Sequence, residues 1–190
     1  GRLIQRTLAG TSKHYTLELG GKAANIIFAD PALDHAVEGI VDGIFFNQGH
    51  VCCAGSRMLV QESVAEEVIA KLKDRMETLI VGDPIDKNTD IGPINSAAQL
   101  AKIEESLGVG QAEGGEMHQS SCPLPADGYW CRPTLFTGVS QSSCVVQEEI
   151  FGPVLAIQTF RTFQEALDKA NNTPYGLSGG LWSDKGARVF

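Results

Sequence analysis

The sequence predicts an α/β fold, a twisted, mostly parallel open sheet with helices on both faces. Two observations carry that reading. Short apolar runs of the kind buried on both sides alternate with longer segments whose apolar residues recur every three or four positions. With 190 residues, 43% of them apolar and 20% charged, the chain is also long enough for one substantial core.

Taken in order, Arg2 to Leu8 reads as the end of a helix closed by Gly10, whose missing Cβ suits a left-handed residue after a helix. Tyr15 to Leu19 alternates and is expected to form a short strand leading into Gly20-Gly21. Asn25 to Ala29 is a buried-type strand, and after an Asp30-Pro31 turn a helix starts at Leu33. Its stripe of Leu33, Val37, Ile40, Val41, Ile44 and Phe45 packs on the core and delivers Asn47 to Cys53 at its end. Ser56 to Gln61 is the next strand, and Val64 to Leu79 the next amphipathic helix. Val81 to Pro93, rich in Gly, Pro, Asp and Asn, is an ordered loop, after which Ser96 caps a helix running to about Leu107. A short strand is expected around Met117, then a surface loop to Asp127. Tyr129 to Val139 and Val154 to Phe160 are β-prone, Phe163 to Asn171 is a helix, Leu177 to Trp182 a strand, and Lys185 to Phe190 the start of a helix. Because the chain starts at Gly1-Arg2 inside an apparent helix and stops just after another helix start, we expect a piece of a longer protein.

Composition removes several function classes. A formal charge of −8, with 15 basic residues scattered along the chain, offers no phosphate-binding surface, so no nucleic-acid partner is expected. No apolar run approaches the roughly 20 residues of a membrane span, and the sections of a signal peptide are missing. The expected setting is the cytoplasm, with no membrane partner. Five cysteines, an odd number without zinc-finger spacing, fit free thiols in a reducing compartment, and four dispersed histidines give no metal site.

Three segments could carry chemistry. In Phe46-Asn47-Gln48-Gly49-His50-Val51-Cys52-Cys53-Ala54-Gly55-Ser56-Arg57 a helical stripe ends in small residues around two thiols. Small neighbours leave room for a ligand, and a thiolate near backbone N–H groups is a nucleophile. The alternative is a pair of buried core cysteines. In Leu17-Glu18-Leu19-Gly20-Gly21-Lys22 a carboxylate at a strand's carboxyl end, where α/β sheets place chemistry, precedes a glycine pair that lets backbones approach. A solvated edge Glu is the plain reading of that residue taken alone. Glu18 and Cys52 are separated by one strand and one helix, a crossover that returns the chain to the same sheet end, so one could supply a base and the other a nucleophile. In Gln147-Glu148-Glu149-Ile150-Phe151-Gly152-Pro153 a carboxylate beside an aromatic suits a ribose and a flat ring, although by itself it is an ordinary loop before a strand.

In this order, ELGGK, FNQGHVCCAGSR and EEIFGPV resemble the aldehyde dehydrogenase superfamily, and the likeness extends over nearly the whole chain through Gly82-Asp83-Pro84, Ile91-Gly92-Pro93, Arg132-Pro133-Thr134 and Asn171 to Leu177. The resemblance implies Cys52 as the nucleophile with Cys53 a bystander, and Glu18 as the general base. It implies that Leu19 and Gly20 lie against the nicotinamide of NAD or NADP, that Glu149 holds its ribose, and that Phe151 lies near the nicotinamide ring. Gln99 and Lys102, on one helix, resemble a second ribose-contacting pair. His50 departs from the pattern, standing where many members have Gln or Thr, and is read as a loop side chain lining the site. Asn47 is read as a loop support.

The implied reaction is oxidation of a small-molecule aldehyde to a carboxylic acid. The Cys52 thiolate forms a thiohemiacetal, hydride loss leaves a thioester, and Glu18 deprotonates the water that releases the acid. The resemblance further implies that residues 1–20 end a cofactor-binding domain and that 21–190 belong to the catalytic domain, truncated at its C-terminal end. The full-length protein is then a homo-oligomer, and the isolated piece is expected to be inactive. A CoA-acylating or phosphorylating relative is the alternative enzyme, against which Glu18 speaks, and a non-catalytic scaffold domain of the same fold is the alternative outside enzymes.

Overall fold

In the computed structural model, which describes residues 1–189, six strands form one sheet. They are β1 Ala24–Ile27, β2 Arg57–Gln61, β3 Glu116–Gln119, β4 Thr134–Thr137, β5 Val154–Phe160 and β6 Gly179–Trp182, in the order β3-β4-β5-β2-β1-β6. Every neighbouring pair is parallel except β3 with β4. The helices are α1 Arg2–Leu8, α2 Leu33–Phe45, α3 Glu62–Met76, α4 Ala97–Ala112, α5 Cys144–Gln147 and α6 Phe163–Asn171. None of them is long and apolar enough to cross a membrane.

Side-chain alternation along the central strands explains the layers. Ile27, Met58, Val60, Leu155 and Ile157 point to one face, where the apolar stripes of α2 and α3 cover them. Ala24, Ile26, Phe28 and Leu59 point to the other face beside Phe160 and Ala166 of α6, and Phe136, Val154 and Ala156 meet α4 and α5 there. Ser96 caps α4 as expected, its hydroxyl accepting from the Gln99 N–H at 3.2 Å.

Five expectations are corrected. Tyr15 to Leu19 is extended but forms no strand, because no neighbouring strand among the described residues pairs with its backbone. The chemistry-bearing loops therefore gather at the amino-terminal ends of β1, β2, β5 and β6, not at a strand's carboxyl end. Helix α4 continues past Leu107 to Ala112 through two glycines, of which Gly110 is a packing surface: a Cβ there would lie 2.6 Å from Val145 and 3.1 Å from the Phe136 ring. Lys185 to Phe190 gives only a 3-10 turn at Gly186–Arg188, with Phe190 outside the described residues. Strand β4 starts only at Thr134, after Pro133, which has no N–H to offer a ladder. The short helix α5 carries no periodicity by which it could have been anticipated.

The two glycines of α4 should respond in opposite directions. Gly108 is exposed with open space around it, so Gly108→Ala should raise stability by about 0.5–1 kcal/mol. Gly110→Val should lower it by about 1–3 kcal/mol through overpacking. Urea unfolding of both variants checks this, and equal shifts would contradict it.

Candidate active site

Three loops meet at the amino-terminal edge of the sheet, and two glycines join them. The Gly21 N–H donates to the Glu149 carboxylate at 2.9 Å. A Cβ on Gly20 would overlap that same carboxylate, and a Cβ on Gly21 would overlap the carbonyl oxygen of Cys52. The pair is therefore a wedge without side chains, with Glu149 on one side and the Cys52 backbone on the other.

The thiol loop is built by a sharp exit from α2. Asn47, Gln48 and Gly49 take positive φ values of 50°, 48° and 75° in succession, which turns the chain back toward the sheet edge. The Asn47 amide donates to the His50 carbonyl at 3.0 Å, which makes it the loop support expected of it. A Cβ on Gly49 would overlap the carbonyl of Gly152, so the two loops touch backbone to backbone. A turn closed by the Ala54 N–H on the Val51 carbonyl then presents Cys52 and Cys53, both exposed.

Exposure sorts the five thiols. Burial pushes Cys131 up to about 12 and, aided by the Glu113 carboxylate, Cys144 up to about 11, so both stay protonated at neutral pH. Cys122 is buried. Cys144 is half-buried, and the adjacent pair Cys52 and Cys53 are the exposed thiols, which answers the reading of them as core residues.

The acidic loop is held from behind. Gln99 donates to the carbonyls of Ile150 and Phe151 at 2.9 and 3.0 Å, and Lys102 donates to the carbonyl of Glu149 at 3.1 Å. Both side chains thus fix the backbone that carries Glu149 and Phe151. Phe151 has a positive φ of 58° and stacks on His50, ring centroids 5.3 Å apart and planes 6° from parallel. Burial lowers the His50 pKa from its ordinary value, so its imidazole is neutral at neutral pH, in keeping with a lining role. Glu18 and Leu19 lie on the exposed extended segment just before the wedge.

Two buried basic residues complete the edge, and nothing in the sequence beyond their places in ELGGK and AGSR points to their burial. Arg57 donates from Nε to the Lys22 carbonyl at 2.9 Å, and from its two terminal nitrogens to the carbonyls of Lys169 and Ala170 at 3.0 and 2.8 Å, clipping the entry of β1 to the end of α6. Lys22 is 2% exposed and its ammonium has no hydrogen-bond partner among the described residues. Burial, followed by the neighbouring Arg57 charge, pushes its pKa down to about 7.

Comparison with known proteins shows the family and the fold. The profile of the aldehyde dehydrogenase family matches residues 1–190. Retinal dehydrogenase 2 of Rattus norvegicus is 44% identical over 186 residues, 97% of this chain and 36% of that protein. Betaine aldehyde dehydrogenase of Bacillus subtilis is 37% identical, with 96% and 38% covered. Among solved structures, betaine aldehyde dehydrogenase from Staphylococcus aureus in complex with NAD+ superposes with a TM-score of 0.91 at 37% identity, covering 98% of this chain and 38% of that one. An NAD-dependent aldehyde dehydrogenase from Sinorhizobium meliloti gives 0.92 at 37% identity, covering 99% and 38%. The chain belongs to the aldehyde dehydrogenase family and is homologous to its NAD-dependent members. It spans a little over a third of the length of these relatives.

Lys22 makes stability depend on pH with a defined sign. Between about 7, its folded pKa, and 10.5, its ordinary value, the unfolded chain holds a proton that the folded chain lacks. Stability from this group therefore rises with pH through that window, by at most about 1.4 kcal/mol per unit, and its burial penalty is full below 7. In chloride buffer, Lys22→Met should be more stable than wild type at pH 7, with the gap closing toward pH 10. A gap independent of pH in urea unfolding would contradict it.

Proposed function

We propose that the full-length protein oxidises an aldehyde to a carboxylic acid with NAD or NADP, and that Cys52 is its nucleophile. The observation that carries this reading is the glycine wedge, which packs the Glu149 carboxylate and the Cys52 turn against opposite sides of one two-residue segment. The family and its NAD-bound relatives supply the class of chemistry.

The residues fit a dinucleotide. One Glu149 oxygen is taken by the Gly21 N–H, which leaves the other to accept from ribose hydroxyls, and the side-chain-free Gly20 allows a flat ring to approach the backbone. Leu19 lines that approach, and Phe151 offers a ring face beside it. Gln99 and Lys102 hold that loop in place and would offer a second contact to the ribose. When bound, the nicotinamide supplies the hydride acceptor.

The Cys52 thiolate adds to the aldehyde carbonyl, and the resulting oxyanion is stabilised by the Cys52 backbone N–H. After hydride departure a thioester joins the acyl group to Cys52. Glu18, exposed on the segment leading to the wedge, deprotonates the water that cleaves it. Glu18 favours water over CoA or phosphate as the second nucleophile, since water, far less acidic than a thiol, has the greater need of a base. We assign residues 1–20 to the end of the cofactor-binding domain and 21–190 to the catalytic domain, because continuous burial starts at Gly21. As in its family, the working protein is taken to be a homo-oligomer.

NADH formation by the full-length protein with a panel of aldehydes tests the assignment. Cys52→Ser should abolish it and Cys53→Ser retain it, while Glu18→Gln should slow release of the acid by about 10²–10⁴-fold and leave thioester formation intact. Full activity in Cys52→Ser would overturn the reading.

A further inference from the structure

The end of α6, the Thr173 to Ser178 loop and the start of β6 line a half-open cavity of about 520 Å³ whose lining includes Lys22 and Arg57. Both side chains are 2% exposed. Among the described residues neither is paired with a carboxylate: all three Arg57 bonds go to backbone carbonyls, and the Lys22 ammonium has no partner. Buried cations in proteins are ordinarily matched by an anion, because an unpaired charge in a low-dielectric interior costs several kcal/mol. Two side by side in one cavity lining mark a place where negative charge is missing.

We propose that this cavity is a carboxylate-binding site, in which Lys22 and Arg57 take the anionic head of a small monocarboxylate or of an acidic side chain from elsewhere in the full-length protein. The walls favour that chemistry. Ala24, Ile26 and Leu181 offer an apolar surface to a short hydrocarbon tail, while Thr173 and Tyr175 bring hydroxyls. A carboxylate asks for fewer donors than a phosphate, and Arg57 already commits Nε and both terminal nitrogens to backbone carbonyls. The groups acting on Lys22 are Arg57 on β2, Glu148 and Glu149 on the loop before β5, and the Cys144 thiol at the start of α5; none of them bonds its ammonium. On α6 the Lys169 ammonium is already paired with Glu165 at 2.7 Å. Binding a carboxylate therefore draws a proton onto Lys22, and affinity weakens as pH rises above 7. The site adjoins the thiol turn, as Leu177 abuts Gly21 and the Ser178 hydroxyl donates to the Cys53 carbonyl at 3.1 Å. The assignment does not depend on the dehydrogenase reading, since it rests on charge and cavity alone.

The test is calorimetric titration of the full-length protein with propionate at pH 6.5 and 8.5 in two buffers of different ionisation heat, together with a crystal structure of wild type soaked in propionate. Expected are binding with proton uptake at pH 8.5, and affinity at least tenfold lower in Lys22→Met. The structure is independent of how that variant folds, and should show a carboxylate at Lys22 and Arg57. Propionate there identifies a free acid as the ligand; an Asp or Glu of the protein there, with no propionate binding, identifies an internal carboxylate. Overturning results are no carboxylate at the two cations, propionate binding unaffected by Lys22→Met, or inorganic phosphate binding more tightly than propionate.

Discussion

Two consecutive residues that cannot carry a side chain hold this site together. Gly20 and Gly21 fill a gap one backbone thick between the Glu149 carboxylate and the Cys52 carbonyl. The Cys52 side of that gap is main chain, which cannot rotate out of the way as a flexible side chain can. A second contact of the same kind, Gly49 against the Gly152 carbonyl, presses the thiol loop onto the acidic loop. The distance between the Cys52 turn and the Glu149 carboxylate is thus set by stacked backbones, the stiffest spacer a protein has, which would suit chemistry in which small misplacements are costly.

The sheet explains why these loops meet. Each right-handed parallel crossover carries the chain from the carboxyl end of one strand back to the amino end of the next, so the segments before β1, β2, β5 and β6 share one edge. Arg57 secures that edge, bonding one carbonyl before β1 and two at the end of α6. Gln99 and Lys102 do the same for the acidic loop from α4. Most of the polar side chains around the site therefore hold backbone, and few are left free to react.

Elements with a strong period were legible in the sequence. The stripe on α2, the buried runs of β1, β2 and β5, and the Ser96 cap all declare themselves in residues a few positions apart. Features set by tertiary contact were not. Tyr15 to Leu19 has strand composition but finds no partner, and Gly110 reads as a breaker until Val145 and Phe136 are seen against it. The meeting of ELGGK, the thiol loop and EEIFGPV was expected only through their resemblance to a family, because loop contacts across 128 residues leave no local periodicity. The burial of Lys22 was hidden for the same reason, since a lysine after two glycines looks like a surface residue.

The most direct test of the backbone spacer is the pre-steady-state NADH burst of the full-length protein carrying Gly21→Ala, with folding verified by its circular dichroism. One added methyl must move either the Cys52 turn or the segment bonded to Glu149, so the burst rate should fall about 10²-fold. A burst at the wild-type rate in a folded variant would show that the glycine wedge does not set the geometry of the site.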